Sequence, residues 1–83
     1  MKKVLFTVVY QDYERHEEMM VHAVIFVSVS SAAEVEEHIS WECEDMDIEP
    51  KHILKMIYVF NEQLYVTEFN GYPYKIDDRG IIG

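Results

Sequence analysis

The sequence predicts a small α+β domain: an antiparallel sheet of four to five strands with a single helix packed on one face, in the order ββαβββ. Three observations carry this reading. Runs of β-branched and aromatic residues recur at positions 4–10, 19–29, 53–60 and 64–69, the composition of strands. One stretch only, from Ala32 to Met46, has apolar residues at helical spacing. The chain is 83 residues long, the size of one domain.

The first strand, 4–10, ends where Gln11 begins a polar run through Glu18, which reads as a loop. The second strand, 19–29, is rich in valine. Both are apolar on both faces: Val4, Phe6 and Val8 alternate with Leu5 and Val9, and Val21, Ala23, Ile25 and Val27 alternate with Val24 and Phe26. A strand exposed on one face alternates apolar with polar residues, so a cover is expected on each side. Ser31 and Glu34 have the spacing of a capping box, in which side chains satisfy free N–H groups at a helix start. Ala32, Val35, Ile39, Cys43 and Met46 then form one apolar stripe. Pro50 bars continuation, so the helix is expected to end near Met46 or Asp47.

The third strand covers 53–60, Asn61 and Glu62 turn the chain, and the fourth covers 64–69. Asn70-Gly71 is a strong hairpin signal. It predicts a fifth strand over 72–76, held to an edge by Pro73. An apolar tail, Ile81-Ile82, follows. A ferredoxin-like order needs a second helix, and no second helical pattern is present.

The net charge is −9, from 16 acidic and 7 basic residues. Phosphate backbones and anionic membranes bind basic surfaces, so direct contact with nucleic acid or membrane is not expected. A basic protein partner is. No run approaches the roughly 20 apolar residues of a membrane span. The N-terminal apolar run resembles the start of a signal peptide but meets Gln11-Asp12 with no small-residue cleavage site after it. With a single cysteine, Cys43, an intramolecular disulfide is impossible. The expected location is the cytoplasm.

Eight carboxylates lie between Glu34 and Glu49 with no Lys or Arg among them. Like-charged neighbours on a helix cost a few tenths of a kcal/mol each. The bland reading is a solvated face that keeps the protein soluble; the sharper one is a surface that competes for a basic groove. Trp41 falls on the polar side of the helix, and tryptophan is enriched at interface hot spots. A loop folding over it, or a helix that rotates or ends early, is the alternative. The candidate partner-binding residues are therefore Glu34, Glu37, Trp41, Glu44 and Asp45.

No catalytic, cofactor or metal site is expected. Cys43 with His16, His22, His38 and His52 fits no zinc-ligand spacing. Cys43 lies on the core stripe, where burial raises a thiol's pKa and makes it inert. The aromatic residues at 58, 60, 65, 69, 72 and 74 lack the basic surround of a base-stacking platform and are expected to stabilise the sheet.

In size, acidity and lack of catalytic motifs the chain resembles small phage-encoded inhibitors, including anti-restriction and anti-CRISPR proteins. That likeness is one of outline and carries no residue across. It implies a non-enzymatic, nucleic-acid-mimicking inhibitor that masks the basic groove of a nucleic-acid-binding protein. A small enzyme or accessory subunit with a site in the loop 12–18 is the alternative, and a housekeeping interaction protein without mimicry is a third. A homodimer through the sheet is expected to cover the second apolar face. The patch would be formed by Val24 and Phe26 with Val4 and Phe6, or by Leu5, Val9 and Ile25. The competing cover is the segment 72–82, with Ile76, Ile81 and Ile82 as plugs.

Overall fold

A computed structural model describes residues 1–69. The expected fifth strand, the Asn70-Gly71 hairpin and the Ile81-Ile82 tail lie outside the described residues. Within them the chain runs β1 (Lys2–Asp12), β2 (Glu17–Val27), α1 (Ala32–Asp45), a 3₁₀ turn (Pro50–His52), β3 (Ile53–Phe60) and β4 (Gln63–Glu68). The four strands form one antiparallel sheet in the order β2-β1-β3-β4. Because β2 and β3 both run antiparallel to β1, they are parallel to each other. Parallel strands need a long crossover, and α1 supplies it.

The first hairpin is longer than its apolar run. Its ladder continues through Gln11↔Glu18 to Asp12↔Glu17, leaving only residues 13–16 as the turn. Strand pairing satisfies these backbone groups while the polar side chains remain in water. Asp12 Oδ1 accepts from the N–H groups of Glu14 and Arg15 at 3.0 and 3.2 Å, and His16 closes the turn with φ 58°. At the other end β2 stops at Val27, which pairs with Lys2, two residues short of the apolar run.

The second hairpin turns on Asn61 and Glu62, both at positive φ (53° and 63°). This is the backbone sign of a type I′ turn, whose twist matches that of the strands it joins. Between Val9 and Tyr10 the β1–β3 register shifts: Val9 faces Lys55 and Tyr10 faces Ile53. The intervening Leu54 carbonyl accepts from the Phe69 N–H at 2.7 Å.

The helix begins as a capped unit. The Glu34 N–H donates to Ser31 Oγ at 3.3 Å, while Glu34 Oε1 accepts from the Ser30 N–H and from both serine hydroxyls. The helix closes ahead of Pro50 through its own backbone. The Ile48 N–H donates to the Cys43 carbonyl at 2.8 Å and the Asp47 N–H to the Glu44 carbonyl at 3.1 Å. That is the Schellman pattern, with Asp47 in the left-handed position at φ 63°. Ile48 is buried beside Cys43 in the same core, the apolar contact that accompanies such caps.

The helical stripe packs as its spacing predicts. Val35, Ile39 and Cys43 are buried, with Ala32 and Met46 half-buried at its ends. They meet Val4, Phe6 and Val8 of β1, Ile25 and Val27 of β2, and Met56, Tyr58 and Phe60 of β3. Tyr58 and Tyr65 are register partners and stack with centroids 5.1 Å apart, a cross-strand pair that stabilises the sheet.

Register also settles which residues share the far face. Leu5 pairs with Val24 and Val4 with Ile25. The grouping of Val24 and Phe26 with Val4 and Phe6 is therefore corrected: Val4, Phe6 and Ile25 belong to the core, and Leu5, Val24 and Phe26 lie opposite. Residue alternation fixes the two faces of each strand, and only pairing fixes them relative to one another.

Candidate functional site

The acidic run divides by role once it is folded. Glu34 is committed to the helix start, and its hydrogen bonds with Ser30 and Ser31 hold its carboxyl below the usual carboxylate range. Glu36 turns inward, where Glu36 Oε2 accepts from the Tyr58 hydroxyl and from Thr67 Oγ1, each at 2.7 Å. Glu49 pairs with Lys51 at 3.3 Å. Glu37, Glu42, Glu44, Asp45 and Asp47 remain. Four of these five gather at the helix C-terminal end. The ion pairs among the described residues engage Asp12, Glu49 and Glu68, none of them on α1.

Trp41 is 53% exposed, and no described loop folds over it. Its ring meets the His38 imidazole edge-on, with centroids 4.9 Å apart. Trp41, His38, Glu42 and Asp45 line one side of an open groove of about 340 Å³, and Val24 to Val27 line the other. Among the described residues β2 is an edge strand, so this side carries main-chain groups without a ladder partner as well as the exposed Phe26.

Of the five residues expected to bind a partner, Trp41 and Asp45 are thus brought together in the groove. Glu37 and Glu44 are exposed but outside it, Glu44 lying instead beside Asp47, Ile48 and Pro50. Glu34 serves the cap. His38 and Glu42 join the groove without having been singled out. His38 was detectable as the i−3 neighbour of Trp41, whereas the contribution of β2 depends on a strand–helix contact that no local pattern encodes.

The loop proposed as an enzyme site is a tight turn whose Asp12 carboxylate is occupied by backbone N–H groups and by Arg15 at 3.7 Å. A second cleft of about 340 Å³ lies beside it, lined in part by Asp12, Tyr13, Asp47, Glu49 and His52, with Tyr13 edge-on to His52 at 4.6 Å. Among the described residues no three His, Cys, Asp or Glu side chains converge in a way that could hold a metal ion. Cys43 is fully buried. Burial first, and then the charge of Glu42, push its thiol up to about 11, so it is protonated and unreactive at neutral pH. No described helix is long and apolar enough to cross a membrane.

Comparison of the chain with protein-family models, with curated proteins and with solved structures finds no match.

Proposed function

We propose that the protein is a non-enzymatic binding module that takes a basic surface of a partner protein against the C-terminal half of α1, with Trp41 as the anchor. The half-exposed Trp41 inside a groove edged by carboxylates carries this reading. An indole ring offers a large contact area at little entropic cost, and such residues dominate binding energy when a partner desolvates them. The position of the charge adds support. A helix C-terminus favours cations, and anions there cost about 0.3–1 kcal/mol each. Yet the last turn of α1 carries Glu42, Glu44 and Asp45 with no basic residue. Local preferences broken in one place are expected at functional sites.

The groove of a nucleic-acid-binding protein is the partner class that this charge fits, and its occupation would make the protein an inhibitor by mimicry. Only part of the acidic run is outward, so the mimicry rests on a compact acidic patch around an aromatic anchor. It does not rest on a continuous row of charges. Affinity capture from a lysate of the source cells tests this, with wild type, Trp41→Ala and the pair Glu42→Lys with Asp45→Lys as baits. A basic protein held at low salt, released at raised salt and lost by both variants supports the reading. Capture that both variants leave unchanged rejects it.

A further inference from the structure

The sheet face opposite α1 is apolar and uncovered among the described residues. Leu5 and Val24 are register partners across β1 and β2, as are Val59 and Leu64 across β3 and β4. They share this face with Phe26 and Val66. Phe26 is 61%, Leu64 66% and Leu5 59% exposed. With residue areas of roughly 150–220 Å², the exposed large apolar side chains of this face present on the order of 600–700 Å². The largest apolar patch of a typical monomer is about 300–600 Å², and one half of a standard protein interface is about 800 Å².

The charge on this face differs from that of the whole chain. Strand alternation places Lys3, Glu18, Lys55 and Glu68 around it, two lysines against two glutamates, in a chain of net charge −9. Lys55 and Glu68 already pair at 3.6 Å. At its centre Thr7 Oγ1 and His22 Nδ1 are hydrogen-bonded to each other, 2.8 Å apart, so burying the pair strands neither atom. A basic partner finds no attraction here, whereas a second copy of a neutral, mixed-sign face meets no repulsion.

We infer that this face is a two-fold interface between two copies of the chain, packed sheet against sheet. Apposed sheets lie about 10 Å apart with strands crossing at roughly 30°, which gives a four-layer α-β-β-α particle. The acidic helices fall on its two outer surfaces, about 30 Å apart, several times the ~8 Å over which salt screens charge at physiological strength. The groove around Trp41 opens on the helix side of each copy. Val24 and Phe26 border both that groove and the sheet face, so the inference is tested on β4, away from the groove.

Sedimentation equilibrium of the full chain from about 1 to 100 μM tests it, the range in which an interface of this size is expected to hold. The expected mass is twice the 9.9 kDa of one chain. Leu64→Glu and Val66→Glu, both exposed on β4 and clear of the Trp41 groove, should weaken the dimer at least tenfold with an unchanged circular dichroism spectrum. Should either variant misfold, the milder Leu64→Thr replaces it, with a smaller loss of the same sign. Trp41→Ala should remain a dimer. A wild-type monomer at about 100 μM overturns the inference, including the case in which residues 70–83 cover the face from the same chain. So does a dimer that survives both glutamate variants.

Discussion

The Tyr58 hydroxyl, on the central strand β3, donates to Glu36 Oε2 of α1 at 2.7 Å. Thr67 Oγ1 of β4 donates to the same oxygen at the same distance, so one carboxylate ties the helix to two strands. Tyr58 is 1% exposed, and its hydroxyl lies 3.4 Å from the Ala32 carbonyl as well. The burial of a phenol is thereby made compatible with its hydrogen-bonding needs.

Glu36→Ala should lower stability by about 1.5–3 kcal/mol, the worth of hydrogen bonds to a charged acceptor. For a domain of this size that is a fall in Tm of roughly 6–24 °C. Thr67→Val, which removes one donor and keeps the shape, should cost less than half as much. Chemical denaturation of both variants checks this; equal losses would mean that Tyr58 contributes little to the seam.

Stability should fall at alkaline pH in two stages. The Cys43 thiol is raised to about 11 from an ordinary value near 9. Burial, followed by the hydrogen bond and charge of Glu36, raises the Tyr58 phenol as well. A raised pKa means that the folded state holds its proton where the unfolded chain releases it. The contribution is complete below the unfolded pKa and is lost as pH rises through the folded one. For Cys43 the loss begins near pH 9 and ends near 11; for Tyr58 it begins near 10. Urea midpoints measured between pH 7 and 11 should decline from about pH 9 in the wild type. In Cys43→Ala the decline should start about one pH unit later. Parallel curves would show that Cys43 does not set the first stage.

Two non-glycine residues occupy left-handed backbone at positions where glycine is the usual choice: Asp47 at the end of α1 and Glu62 in the β3–β4 turn, both at φ 63°. Such a conformation costs an L-residue about 1 kcal/mol. Asp47→Gly and Glu62→Gly should each raise stability by roughly 0.5–1 kcal/mol, a gain of several degrees in Tm. The effects should add, since the sites share no partner. A destabilised Asp47→Gly would indicate a local role for its carboxylate that outweighs the backbone relief.

Charge reversal on the outward helix face should separate stability from binding. Glu37→Lys, Glu44→Lys and Asp45→Lys together should keep the fold and raise Tm by a few degrees, by relieving like-charge repulsion and complementing the helix C-terminus. The same triple variant should bind a basic partner more weakly, chiefly through a slower on-rate at low salt. Surface plasmon resonance at two ionic strengths reads both. Unchanged affinity at each salt concentration would remove the electrostatic basis of the proposed function.

The helix was legible in the sequence because a 3.6-residue stripe from Ala32 to Met46 has one reading, and the outward position of Trp41 follows from the same geometry. β3 was legible to the residue, bounded by the turn at Pro50–His52 and by Asn61-Glu62. The inward turn of Glu36 was not, because its partners come from strands 22 and 31 residues away. Glu34 carried two readings at once, cap and binding residue, and its hydrogen bonds show the cap. The end of α1 near Met46 or Asp47 was legible from Pro50, while the left-handed closure at Asp47 was not, since aspartate is no strong stop signal. The register of β1 against β2 needed the fold itself, since alternation is the same whichever way two strands are paired.

The position of β1 between β2 and β3 sets a timetable. Phe6 of β1 finds its β3 partner only when Tyr58 arrives, about fifty residues later, or roughly 3–10 s at ordinary rates of synthesis. The β1–β2 hairpin, apolar on both faces, must wait through that interval, and α1 is what emerges in the meantime. Its outward carboxylates add negative charge to the unfinished chain while it is most prone to associate. Refolding should be slow for so short a chain, since a non-local strand pair must close before the core forms. A stopped-flow refolding phase in the microsecond range would contradict that order of events. Neutralising the outward carboxylates should lower the yield of refolding even though it does not lower the stability of the folded protein.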